Sequence, residues 1–182
     1  TFQDALAIWR QVDARRDMAA MLMELGWVET LAGNYDLAEK YFQEATQVSP
    51  PLIVDPSLKE KHGRLLLRRA LAAPNESQRS RWLDKAESVL QEGVDIAGSR
   101  ERQLYAALCL AALMRVADLR DDEGAVGARA AQLRALEAQR YEFNWAYAEM
   151  EETLGHRAFR RARQADGQFV AEAFDNATDP YL

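Results

Sequence analysis

The chain has 182 residues and a net charge of −6, from 23 basic and 29 acidic side chains. The negative charge argues against nucleic acid as the main partner, and no apolar run approaches the roughly 20 residues that span a bilayer. The single Cys109 excludes an internal disulfide framework and suits a cytoplasmic, reducing compartment. Because Cys109 lies in an apolar helical run, we expect a buried, inert thiol.

Apolar side chains recur at helical spacing through most of the chain, whereas glycine and proline fall mainly between such stretches. Leu154 and Gly155 mark an expected break near the carboxyl end. Predicted helices occupy residues 2–12, 17–32, 35–48, 57–72, 78–97, 100–119, 123–140, 142–153, 155–165 and 168–175.

The clearest unit is a pair of amphipathic helices within residues 17–50. Gly26 removes a side chain where the second helix crosses closely, and Ala38 is its small counterpart on the facing helix. Gly33 and Asn34 form a helix C-terminal signal. The positions that define the pattern are Leu22, Leu25, Gly26, Ala38, Phe42, Ala45 and Pro50.

These residues, at these offsets, resemble the tetratricopeptide repeat (TPR). The resemblance implies an all-α, right-handed superhelix of stacked helical hairpins, because one repeat cannot bury its apolar face alone. About three repeats and terminal helices are expected. The units are 1–16 (the second helix of a truncated repeat, with a linker), 17–50 (the clear repeat), 57–97 (an irregular pair), 100–140 (a third pair) and 141–182 (capping helices).

The first of these units depends on an internal echo, since FQDAL at 2–6 matches FQEAT at 42–46. Phe2 and Ala5 would then occupy the roles of Phe42 and Ala45 in a preceding repeat. Together with the initial Thr1, this favours a piece of a longer array. The alternative is a coincidental match of five residues.

The segment TLGHRAFRRARQADG at 153–167 has a second pattern, in which Leu154-Gly155 is followed by Ala158-Phe159, Ala162 and Gly167. It resembles the end of the repeat arrays in bacterial multidomain signal-transduction ATPases and LuxR-type regulators. This resemblance implies a sensor or scaffold region, with the nucleotide-binding and DNA-reading parts elsewhere in a larger protein.

In a TPR array, the concave surface comes chiefly from the first helix of each pair. Trp27 is a candidate aromatic anchor, although packing against the neighbouring repeat is an equal alternative. Arg64 and Arg68 are spaced i, i+4 and would suit a carboxylate or phosphate. They belong to a basic segment, residues 59–85, that is either a solvated face or a strip for an acidic partner. The predicted groove residues are Met23, Trp27, Thr30, Glu60, Arg64, Arg68, Arg102 and Tyr105.

No catalytic constellation is visible in the sequence. A phosphate-binding GxxxxGK[ST] loop is missing, and His62 and His156 are the only histidines. Glu149, Glu152 and His156 would share a helix face, but a solvent-facing His156 and a hydrated acidic face are the better interpretation. We therefore expect neither catalysis, nor a cofactor, nor a metal.

The sequence predicts a non-catalytic interaction or effector-sensing region of a bacterial regulatory protein. Its expected partner is a protein, a peptide, another domain of the parent chain or a small effector, without direct contact to nucleic acid or membrane. The alternative is a structural module for homo-oligomerisation through the N-terminal helix pair.

Overall fold

The computed structural model describes residues 15–49, 55–96, 103–137 and 144–164, and every regular element in these ranges is an α-helix. Four predicted features lie outside the described residues. They are the helices 2–12 and 168–175, Pro50 at the end of the clear repeat, and the groove candidate Arg102. The helices are α1 (Arg15–Ala32), α2 (Tyr35–Val48), α3 (Pro56–Leu71), α4 (Glu76–Ile96), α5 (Gln103–Leu119), α6 (Glu123–Glu137) and α7 (Asn144–Gln164).

Short, capped connections join the helices into pairs. Gly33 has a φ of +84° after α1, and the Asn34 amide donates to the Glu29 carbonyl at 2.9 Å, as expected of a helix C-terminus. In the link between α3 and α4, the Asn75 side chain accepts from the Gln78 amide at 2.9 Å. Such short links bring α1 against α2, α3 against α4 and α5 against α6.

The pairs pack side by side with a regular pattern of neighbours. The first helix of each pair contacts the first helix of the next, so that α1, α3, α5 and α7 are consecutive neighbours. The second helices α2 and α4 also contact the helix that follows them, α3 and α5 respectively. The described chain is therefore an all-helical stack in which each pair covers its neighbour.

The core is centred on α5, of whose 17 residues eleven are buried. A helix that is apolar on most of its circumference must be covered from several directions, and α3, α4, α6 and α7 all pack against α5. Smaller apolar clusters join α1 to α2 and α2 to α3. None of the described helices combines the length and the apolar character needed to cross a bilayer.

Glycines mark two of the closest helix contacts. An added Cβ at Gly26 would lie 3.0–3.1 Å from the ring of Phe42 on α2. An added Cβ at Gly63 on α3 would lie 2.4 Å from Leu90 on α4. Ala38 is fully buried in the cluster that contains Phe42 and Leu58, the latter on α3. The space left by Gly26 is thus filled by Phe42.

The carboxyl-terminal helix differs from the prediction. Two helices, 142–153 and 155–165, were expected with a break at Leu154-Gly155, but α7 runs unbroken through both residues. A helical glycine costs only about 1 kcal/mol relative to alanine, and the packing of α7 on α5 outweighs this cost. The Tyr147 hydroxyl also donates to the Leu133 carbonyl at 2.6 Å, which ties α7 to α6.

Candidate functional site

The four neighbouring first helices line one groove of about 740 Å³. α1 contributes Trp27, and each of α3, α5 and α7 contributes several side chains. The groove is lined by Trp27, Glu60, Lys61, Arg64, Leu104, Tyr105, Leu108, Ala148, Glu149 and Glu152. Residues more than 120 positions apart in sequence therefore share a single surface.

Four of the eight predicted groove residues are among these: Trp27, Glu60, Arg64 and Tyr105. Trp27 is partly buried at the wall of the groove, where an aromatic side chain can act as an anchor. Tyr105 lies on α5, the first helix of the predicted third pair. The structure thus brings together residues from three of the predicted helix pairs.

Three other predicted groove residues lie elsewhere. Thr30 is fully buried and donates to the Gly26 carbonyl at 2.7 Å, so its hydroxyl is used within α1. Met23 packs against the apolar cluster formed by α2 and α3, with its sulfur 3.7 Å from the Ser57 hydroxyl. Arg68 is exposed and does not line the groove. The structure therefore does not assemble the expected clamp of Arg64 and Arg68.

Arg64 is held by two carboxylates within the groove. Its Nη1 and Nη2 atoms donate to the two carboxylate oxygens of Glu149 at 3.0 and 2.6 Å, and its Nε donates to Glu60. Burial by itself would lower the pKa of Arg64, but Glu149 and Glu60 together raise it above its ordinary value. The guanidinium is thus fully charged and already paired, so it does not offer a free site for an anion.

The groove carries a negative balance. Glu60, Glu149 and Glu152 face only two cations, Lys61 and Arg64, and Lys61 is held by a further carboxylate, Glu24, at 2.6 and 2.8 Å. Glu152 is exposed and has no ion-pair partner in the described part of the chain.

Negative charges also act on the phenol of Tyr105. Its pKa is raised, first by burial and then by the charges of Asp55, Glu60 and Glu24. Both effects disfavour the negatively charged phenolate form of Tyr105. The surface therefore combines apolar walls with a potential that favours cations.

Glu149 and Glu152 are groove residues that the sequence analysis did not identify. The sequence grouped them with His156 as a hydrated acidic face, whereas Glu149 pairs with Arg64 and His156 is exposed. The described residues contain no group of three or more histidine, cysteine or acidic side chains that could hold a metal ion. The i, i+3 spacing of Glu149 and Glu152 indicated that the two side chains share one helix face. It did not indicate which helix that face contacts.

Cys109 is fully buried, as expected, in the core on α5. Burial, with a smaller effect of Glu60, raises the pKa of the thiol to about 12. A thiol of this kind is protonated at neutral pH and is a poor nucleophile.

No protein-family profile matches this sequence. Searches of curated proteins and of solved structures also find no significant match.

Proposed function

We propose that this chain is a TPR-like interaction region whose stacked hairpins form a right-handed superhelix, with the groove as its binding surface. The observation that carries the proposal is the groove itself, which is lined by the first helix of every described pair and by α7. The motif at Leu22, Leu25 and Gly26, with its contact to Phe42, supports the same architecture.

The partner that fits best is a peptide segment, or a segment of another domain, with an apolar anchor beside a positive charge. Trp27, Tyr105 and Leu108 offer apolar contact, and Glu152 offers a carboxylate that has no ion-pair partner among the described residues. An acidic partner is disfavoured because Arg64 is already neutralised by Glu60 and Glu149. Binding there would act as the sensing step for a larger regulatory protein of the signal-transduction ATPase or LuxR type.

Selection of random peptides displayed on phage tests this directly. Selected peptides should be enriched in lysine or arginine next to leucine or an aromatic residue. Trp27→Ala should weaken their binding by tenfold or more, as expected of a buried aromatic anchor worth about 2 kcal/mol. Glu152→Lys should weaken binding, whereas Glu151→Lys, the same charge change at a neighbouring position outside the groove, should not. Selected peptides rich in acidic residues, or equal effects of Glu152→Lys and Glu151→Lys, would refute the assignment.

Self-association is a second candidate function, favoured by exposed apolar side chains at the amino-terminal pair. Val28 and Leu31 on α1 are 46% and 52% exposed, and Leu37 on α2 is 40% exposed. A second copy of the chain would cover this surface. Light scattering that shows a concentration-dependent dimer, lost in Leu31→Glu, would favour this role. A monomer at all concentrations would exclude it.

A further inference from the structure

A second cavity, of about 260 Å³, lies where α7 crosses the turn between α5 and α6. We call it the arginine pocket. It is lined by Arg79, Asp118, Leu119, Asp121, Arg157, Arg160 and Arg161. The volume admits several water-sized groups, and four of the seven side chains are guanidinium groups.

A single buried carboxylate stands against this positive charge. The Asp118 side chain is only 1% exposed, and it contacts Arg157 at 3.4 Å, Arg115 at 3.5 Å and Arg160. One carboxylate balances one of these three cations. Arg160 is 46% exposed, so the positive charge that Asp118 does not balance lies toward the mouth of the pocket.

Compensation for this charge comes from carboxylates at the surface. Asp121 pairs with Arg157 at 3.2 Å and Glu123 pairs with Arg161, yet their side chains are 92% and 70% exposed. Carboxylates this exposed are well solvated and hold their partners weakly, so an incoming anion can displace them. The hydrogen bond from Arg161 nevertheless lowers the pKa of Glu123, which shows that the position favours negative charge.

The donor capacity of the pocket is also incompletely used. The side chain of Arg157 is 8% exposed, and its hydrogen bonds to Asp118 and to the Asp121 carbonyl are both 3.4 Å long. Its Nε has no hydrogen-bond partner in the described residues. Arg79 pairs with Glu76 at 3.6 Å and donates to the Leu119 carbonyl at 3.3 Å, but its Nε has no hydrogen-bond partner among the residues that the structure describes. Guanidinium forks match the oxygens of a phosphate in paired, charge-assisted hydrogen bonds.

From this geometry we infer that the arginine pocket binds a compact oxyanion of the phosphate class, free or carried on a larger molecule. Arg157, Arg160 and Arg161 would hold the oxygens, and the carboxylates of Asp121 and Glu123 would be displaced into solvent. This site is separate from the groove, and it does not depend on the proposed function. Because all three arginines belong to α7, a bound anion would also hold α7 against the α5–α6 turn.

Isothermal titration of the full chain with sodium phosphate, at an ionic strength held constant with sodium chloride, tests the inference. The wild-type chain should bind phosphate saturably. Arg161→Gln should weaken binding about tenfold, since one charge-assisted hydrogen bond is worth about 1.5 kcal/mol or more. Arg134→Gln, an exposed arginine on α6 about 16 Å farther along the helix than Glu123, should leave the affinity unchanged.

Glu123→Gln distinguishes an anion-binding site from a salt bridge that only stabilises the fold. It removes the competing carboxylate and should strengthen phosphate binding several-fold. Titration with a phosphoserine peptide and with its unphosphorylated form shows whether the pocket takes phosphate carried on a side chain or only free phosphate. Wild-type chain that shows no saturable phosphate binding would overturn the inference, as would equal affinities of Arg161→Gln and Arg134→Gln.

Discussion

The contact between Gly63 and Leu90 gives the sharpest test of how the second helix pair is packed. An added Cβ at Gly63 would lie 2.4 Å from both the Cγ and the Cδ2 of Leu90, which is fully buried. A rotation of the terminal methyl groups cannot relieve a contact that involves Cγ. Gly63→Ala therefore requires that the Leu90 side chain or the two helices move apart.

Overpacking of this kind costs about 1–3 kcal/mol, and the upper end applies because the obstruction lies near the Leu90 backbone. The helix propensity of alanine offsets about 1 kcal/mol. We therefore expect Gly63→Ala to lower the free energy of unfolding by about 2 kcal/mol. For a chain of this size, that corresponds to a fall in Tm of about 4–8 °C.

Urea unfolding of the single and double variants checks the reasoning. In the Leu90→Ala background the obstruction is gone, so Gly63→Ala should become neutral or stabilising, and the two effects should be strongly non-additive. Gly155→Ala is the matched control, because an added Cβ there meets no atom within 4 Å and only the propensity gain remains. If Gly63→Ala costs the same with and without Leu90, the packing of α3 on α4 described above is wrong.

Two further predictions concern titrating groups. The hydrogen bond from His62 lowers the pKa of Glu39 below its usual 4.5, despite the opposing effect of burial. Glu39 therefore stabilises the fold above pH 4.5, and this contribution is lost as the pH falls further. Glu39→Gln should thus flatten the decline of urea midpoints below pH 4.5, and an unchanged decline relative to a Glu92→Gln control would contradict this. Cys109 should react with a thiol reagent at pH 8 only as fast as the chain unfolds, and urea should accelerate the reaction. Rapid labelling of the native chain would instead show that the thiol is accessible.

Local patterns in the sequence were sufficient to predict the turn and the close contact within the first helix pair. The turn at Gly33 and the exclusion of a side chain at Gly26 follow from short-range signals that act within one hairpin. The burial of Cys109 follows from an apolar run that no single partner helix could cover. Trp27, Arg64 and Tyr105 were placed on one surface because the spacing of the repeat predicts which helix of each pair faces it.

Contacts between distant parts of the chain were decided only by the tertiary structure. Arg64 and Glu149 are 85 residues apart, so no local pattern revealed that the expected anion clamp is neutralised and that the groove favours cations. The same is true of Asp118, whose partners Arg157 and Arg160 come from a helix about 40 residues away. The continuity of α7 through Gly155 was likewise settled by packing on α5, since the local cost of a glycine is smaller than the apolar burial that a continuous helix secures. The sequence by itself thus determined where most of the described helices lie and which of their faces are apolar, whereas the continuity of α7 and the balance of charge at each site depended on which helices met.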